Sequence, residues 1–111
     1  MPLTHYFKET HDFKETIRAR AQCEPDFRQA LLREALECMI NGDLDTGKAV
    51  LRDYVNATFG FRVLEKRTHI PAKSLMRMLG PKGSPFAANL SNILTALQKN
   101  ERVHFEISLR R

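Results

Sequence analysis

Cysteine is scarce in this sequence, long apolar runs are missing, and so is any arrangement that would announce an active site. Cys23 and Cys38 are too few and too far apart for a zinc knuckle, and they read as free structural thiols, Cys38 on the apolar face of its helix. No apolar stretch approaches the roughly 20 residues that cross a bilayer. The start of the chain, Met1-Pro2-Leu3-Thr4-His5, lacks a signal-peptide pattern, so the protein is expected in the cytoplasm, away from membranes. His5, His11, His69 and His104 are scattered, with no pair at metal-ligand spacing on a helix. Gly80-Pro81-Lys82-Gly83 has neither Walker nor dinucleotide-binding spacing, and no carboxylate pair stands apart from ordinary helix-surface charge. The sequence therefore suggests no enzyme and implies no metal or cofactor. Repeats, low-complexity segments and long linkers are missing too, which leaves 111 residues to form one domain.

Acid is missing from one region in particular. Residues 54–98 carry six basic residues (Arg62, Lys66, Arg67, Lys73, Arg77 and Lys82) against the single acid Glu65. That surplus equals the formal net charge of +5, so the rest of the chain balances, with twelve Lys or Arg and twelve Asp or Glu. Phosphate attraction acts locally, so clustered cations argue for a nucleic-acid partner better than the same charge spread evenly. The bland alternative is a solvated helix face.

The same region has a pattern. Residues 61–80 read as two short helices and a tight turn, with Pro71 suited to the first helical position and Gly80-Pro81 as a sharp stop. Leu64, Ile70, Leu75 and Met78 have the offsets with which a helix-turn-helix locks its helices to a core. Ala72, Lys73, Met76 and Arg77 are then left outward on the second helix, with Ser74 beside them, as in a helix that enters a major groove.

Around this pair the expected class is mainly α. Residues 12–59 supply the N-terminal helices and residues 60–98 the helix-turn-helix and a following helix. Tyr6 and Phe7 are candidate anchors, and Asp12 with Glu15 resembles a capping box opening a helix that carries Phe13, Ile17 and Ala21. Pro25 starts the next helix, with Phe27, Leu31, Leu32, Ala35, Leu36, Met39 and Ile40 at helical spacing. Asp43 caps a third helix. Ser84 and Pro85 open a last helix whose apolar positions begin at Phe86. In residues 102–109 the period changes: Val103, Phe105, Ile107 and Leu109 alternate with polar residues, as in a strand. A lone strand needs a partner. Either residues 3–7 pair with it, or the same strand of a second subunit does; the homodimer, with Val103, Phe105 and Ile107 at its interface, is preferred.

Five stretches together resemble a known family: Leu31-Leu32-Arg33-Glu34-Ala35, Gly42-Asp43, Gly47-Lys48-Ala49-Val50-Leu51-Arg52-Asp53-Tyr54, the run from Lys73 to Pro81, and the ending from Asn89-Leu90 through Ala96-Leu97. The family is that of the addiction-module antidote (antitoxin) proteins of bacteria, with a lambda-repressor-like helix-turn-helix. The resemblance implies a DNA-binding regulator, encoded beside a small toxin and repressing its own operon. Two positions depart from the general helix-turn-helix pattern. Glu65 stands where a small residue is usual, and His69 where glycine makes the turn.

The expected partner is double-stranded operator DNA, with a toxin as a second partner. Arg77 is the best candidate for gripping guanine, and Lys73 reads a base or meets a phosphate. Arg62, Lys66 and Lys82 are candidate phosphate contacts. Ser74 either meets a phosphate or steadies its helix, and Met76 touches a thymine methyl or marks a protein-binding surface. The rival function is a helical protein-binding module without specific DNA recognition.

Overall fold

The computed structural model describes residues 11–111, with side chains from Thr16 onward. Among the described residues there are six helices and no strand. They are α1 (His11–Cys23), α2 (Pro25–Ile40), α3 (Leu44–Ala57), α4 (Gly60–Thr68), α5 (Ala72–Met78) and α6 (Ala87–Glu101). None is long and apolar enough to cross a membrane. The anchoring expected of Tyr6 and Phe7, and any pairing by residues 3–7, lie outside the described residues.

The chain folds around α3. Val50, Leu51, Tyr54 and Val55 are buried, and α3 lies against α1, α2 and α4. Asp43 opens the helix as expected, accepting from the Thr46 N–H at 3.2 Å and from its hydroxyl at 2.7 Å. Those bonds, the hydroxyl's first, hold the Asp43 carboxyl below the ordinary carboxylate range. From α2, Leu31, Leu32 and Ala35 enter the core, while Ile17 and Ala21 enter from α1. Each large apolar side chain so buried stabilises the fold by about 1.5–3 kcal/mol before entropy is charged against it. Both cysteines are free. Cys38 is half-buried, and burial followed by the nearby Glu34 and Asp43 carboxylates pushes its thiol pKa up, away from a nucleophilic thiolate.

A polar network closes the end of the bundle. The Glu101 carboxylate accepts from Arg28 Nε of α2 at 2.9 Å and from the Tyr54 hydroxyl at 2.5 Å. Asn100 donates to the same hydroxyl at 2.9 Å and accepts from Arg67 of α4 at 3.1 Å. Burial and the Glu101 bond together raise the Tyr54 pKa well above its ordinary value, so the phenol stays a donor. Three helices thereby meet at one buried carboxylate, and α4 joins the network through Asn100.

Three expectations need correction. α1 already includes His11, so Asp12 is not its N-cap. α6 begins at Ala87 with Phe86 in an extended conformation before it (φ −65°, ψ 153°), which removes Phe86 from the apolar face and leaves it 80% exposed. The tail forms no strand. α6 ends in a left-handed Arg102 (φ 56°), after which residues 103–111 run back to flank α2. Val103 and Phe105 are half-buried against their own chain, and the Phe105 N–H donates to the Gln98 side chain at 2.8 Å. The alternation thus marks a tail laid on a helix surface, whose hydrogen-bond acceptor is a side chain instead of a neighbouring strand. It fades after Phe105, where Ile107 and Leu109 are exposed.

Gly47 sets how closely α2 and α3 approach. A Cβ there would sit 2.5 Å from Met39 Cγ and 2.9 Å from the Ala35 carbonyl oxygen. Met39 can swing aside, but the backbone of α2 cannot. Gly47→Val is therefore expected to destabilise the fold by about 1–3 kcal/mol, measured by urea unfolding.

Candidate nucleic-acid interface

The turn between α4 and α5 is built from backbone bonds and the side chains of Thr68, Asn92 and Glu65. His69 takes a left-handed conformation (φ 62°, ψ 25°), and its N–H donates to the Glu65 carbonyl at 2.7 Å. The position that glycine usually fills therefore keeps its geometry with histidine, a residue that enters this region more readily than most. Thr68 donates its hydroxyl to the Leu64 carbonyl at 2.8 Å and accepts from the Ile70 N–H at 3.2 Å. Asn92 of α6 donates to the Thr68 carbonyl at 3.0 Å, satisfying one of the acceptors left at the end of α4.

α5 packs through Leu75 and Leu79, both fully buried. At about 100° per residue, Met76, Lys73 and Arg77 fall within an arc of about 100° on the other side, with Arg77 pointing most directly away from the core. Ala72, expected to face outward, instead falls beside Leu79 and packs against the core. The exposures follow this wheel. Lys73 and Arg77 are exposed, Met76 is 49% exposed, and Ala72 and Ser74 are half-buried at the margins of the stripe. Arg62 and Lys66 are exposed one turn apart on α4, and Lys82 is exposed in the turn after α5.

The end of α5 is held from behind. Lys48 of α3 is only 2% exposed, and its ammonium donates to the Gly80 carbonyl at 3.0 Å and the Gly83 carbonyl at 2.5 Å. Asp45 stands 3.5 Å from the same ammonium on the solvent side. Arg52, one turn on, donates to the Leu79 carbonyl at 2.6 Å. Two cations thus meet the negative end of α5, where the dipole and the unpaired carbonyls both favour them. Gly83 completes the contact: a Cβ there would collide with the carbonyl oxygens of Arg77 and Met78.

Among the described residues, five of the six cations in residues 54–98 have no intramolecular claim. No hydrogen bond, ion pair or ring contact among the described residues engages Arg62, Lys66, Lys73, Arg77 or Lys82, and these are the five cations singled out from the sequence. Arg67 differs: it lies over the Phe59 ring, 4.4 Å from its centroid, and bonds Asn100.

Sequence reasoning missed Lys48, Arg52 and Asn92. Lys48 left a signal, because it interrupts the apolar stripe of Leu44, Leu51 and Val55 on the third helix, and a cation in such a stripe needs a buried acceptor. Its acceptors lie 32 and 35 residues away and leave no local trace. Of the expected interface between subunits, Val103 and Phe105 turn toward their own chain, and Ile107 alone is exposed.

Lys48→Met keeps the stem and removes the ammonium. Stranding the Gly80 and Gly83 carbonyls is expected to cost about 1–3 kcal/mol in urea unfolding, with increased amide exchange in residues 79–83. Compared with protein-family models, with curated proteins and with solved structures, the chain finds no match.

Proposed function

We propose that this chain is a sequence-specific DNA-binding regulator that places α5 in the major groove. The observation that carries the reading is the outward stripe of α5: Lys73, Met76 and Arg77 are exposed opposite the buried Leu75 and Leu79, on a helix braced at its far end by Lys48 and Arg52. In this reading α4, the His69 turn and α5 are a lambda-repressor-like helix-turn-helix. Arg77 grips the O6 and N7 of a guanine, and Lys73 meets a neighbouring base or phosphate. Arg62, Lys66 and Lys82 contact phosphates, setting register without reading sequence. Met76 suits a thymine methyl, and the small Ala72 lets the backbone come close. Ser74, at the flank, is available to a phosphate.

Two further parts belong to the proposal. The first is a homodimer, which a two-fold operator would require. With Val103 and Phe105 packed at home, the surface offered to a second copy is the exposed apolar end of the tail, Ile107 and Leu109. The second is the antitoxin role, with a toxin bound away from α5, and it is supported by the sequence resemblance.

One observation favours the rival, a protein-binding module. A groove of about 590 Å³ runs between α2 and the tail, lined in part by Leu36, Ile40, Phe105 and Ile107. It lies on elements other than α4 and α5, so a protein partner there is compatible with DNA on the basic face.

Selection from a pool of randomised duplexes tests the reading. The wild-type protein is expected to enrich one motif, and Arg77→Ala to relax it at a single base position, losing about 1–3 kcal/mol there. Lys73→Ala is expected to weaken binding. Equal recovery of all sequences by the wild type would reject DNA reading in favour of the protein-binding module.

A further inference from the structure

Glu65 is out of place on a DNA-facing surface. It is the only acid in residues 54–98, and it is exposed on α4 among cations that phosphate would attract. It also replaces the small residue usual at this position of a helix-turn-helix. A carboxylate there works against phosphate affinity. The structure shows what it does instead.

α5 is seven residues long, too short to be stable through its own hydrogen bonds. Its carbonyl end is held by Lys48 and Arg52, but its amino end begins at Pro71, whose side chain has no acceptor with which to cap it. The missing acceptor comes from the preceding helix. Glu65 Oε1 accepts from the Ala72 N–H at 2.7 Å, bridging seven residues across the turn. The backbone of the same residue also receives the His69 N–H. Glu65 therefore fixes both the turn and the first residue of α5, one position before Lys73. Its negative charge also suits the positive end of the helix.

We infer that Glu65 is the positioning residue of the DNA-reading helix: its carboxylate caps α5 at Ala72 and trades phosphate affinity for sequence discrimination. The inference rests on the DNA-binding reading. It separates two properties of the side chain, its charge and its reach. Glu65→Gln removes the charge and keeps an oxygen at the same distance. Glu65→Asp keeps the charge and falls one methylene short.

The test measures, for wild type and both variants, binding to a duplex enriched by the wild type and to a scrambled duplex of equal length. Amide exchange at Ala72 is followed in the protein without DNA. For Glu65→Gln, tighter binding to the scramble is expected by about twofold or more, with discrimination and Ala72 protection retained. For Glu65→Asp, scramble binding is expected to be unchanged, while discrimination falls by about fivefold and Ala72 loses protection. Discrimination that is lost in Gln and kept in Asp would show that charge alone matters and would overturn the inference. So would an Asp variant that discriminates like the wild type. A wild type that enriches no duplex would reject DNA reading itself, and the inference with it. Ala72 exchange would still report separately whether the cap exists.

Discussion

Lys48 is the constraint on which the placement of α5 depends. An ammonium withdrawn from water is tolerated only where acceptors replace its hydration, and here the carbonyls of Gly80 and Gly83 do so. Because Lys48 stands on α3, the helix at the centre of the core, the loop after α5 is tied to the most buried part of the molecule. Arg52 adds a second tie from the next turn of the same helix. At the other end, Glu65 reaches from α4 to the first N–H of α5. A helix of seven residues is in this way clamped at both ends by side chains that belong to other helices.

This clamping separates two sets of cations. Lys48, Arg52, Arg28 and Arg67 are engaged in holding helices together, each with oxygen acceptors inside the chain. Arg62, Lys66, Lys73, Arg77 and Lys82 have no such partners among the described residues, and all five belong to α4, α5 or the turn after it. A formal charge of +5 understates this division, because the acids that balance the sum lie almost wholly outside residues 54–98. The basic face, presented on a braced helix, is what supports a duplex as its partner.

The helices were legible where punctuation was strong. Pro25, Asn41-Gly42 and Asp43 bound α2 and α3 as expected, because a proline, a left-handed glycine and a capping carboxylate act locally. Most of the outward stripe of α5 was legible for the same reason. Leu75 within the helix and Leu79 at its C-cap, four apart, fix the buried face and leave Lys73, Met76 and Arg77 outward, while Ala72 proves to pack against the core. What could not be read depended on distant partners. Phe86 looked like the start of an apolar face, but α6 begins after it and leaves it in solvent. The tail kept the alternation of a strand while packing on a helix, since a half-buried extended segment shows the same period whatever lies beneath it. Glu65 and His69 stood out as departures from a pattern, and both prove to be parts of the turn: His69 adopts the left-handed conformation and Glu65 receives bonds at its backbone and its side chain.

The most direct measurement is binding of the purified protein to the DNA upstream of its own gene and to a scrambled duplex of the same composition, across a salt series. The expected result is tighter binding to the upstream fragment, with a preference that persists as salt weakens both, because base contacts do not release counterions as phosphate contacts do. Equal affinities that fall together with salt would show phosphate attraction without reading, and would contradict the assignment of α5 as a recognition helix for that DNA.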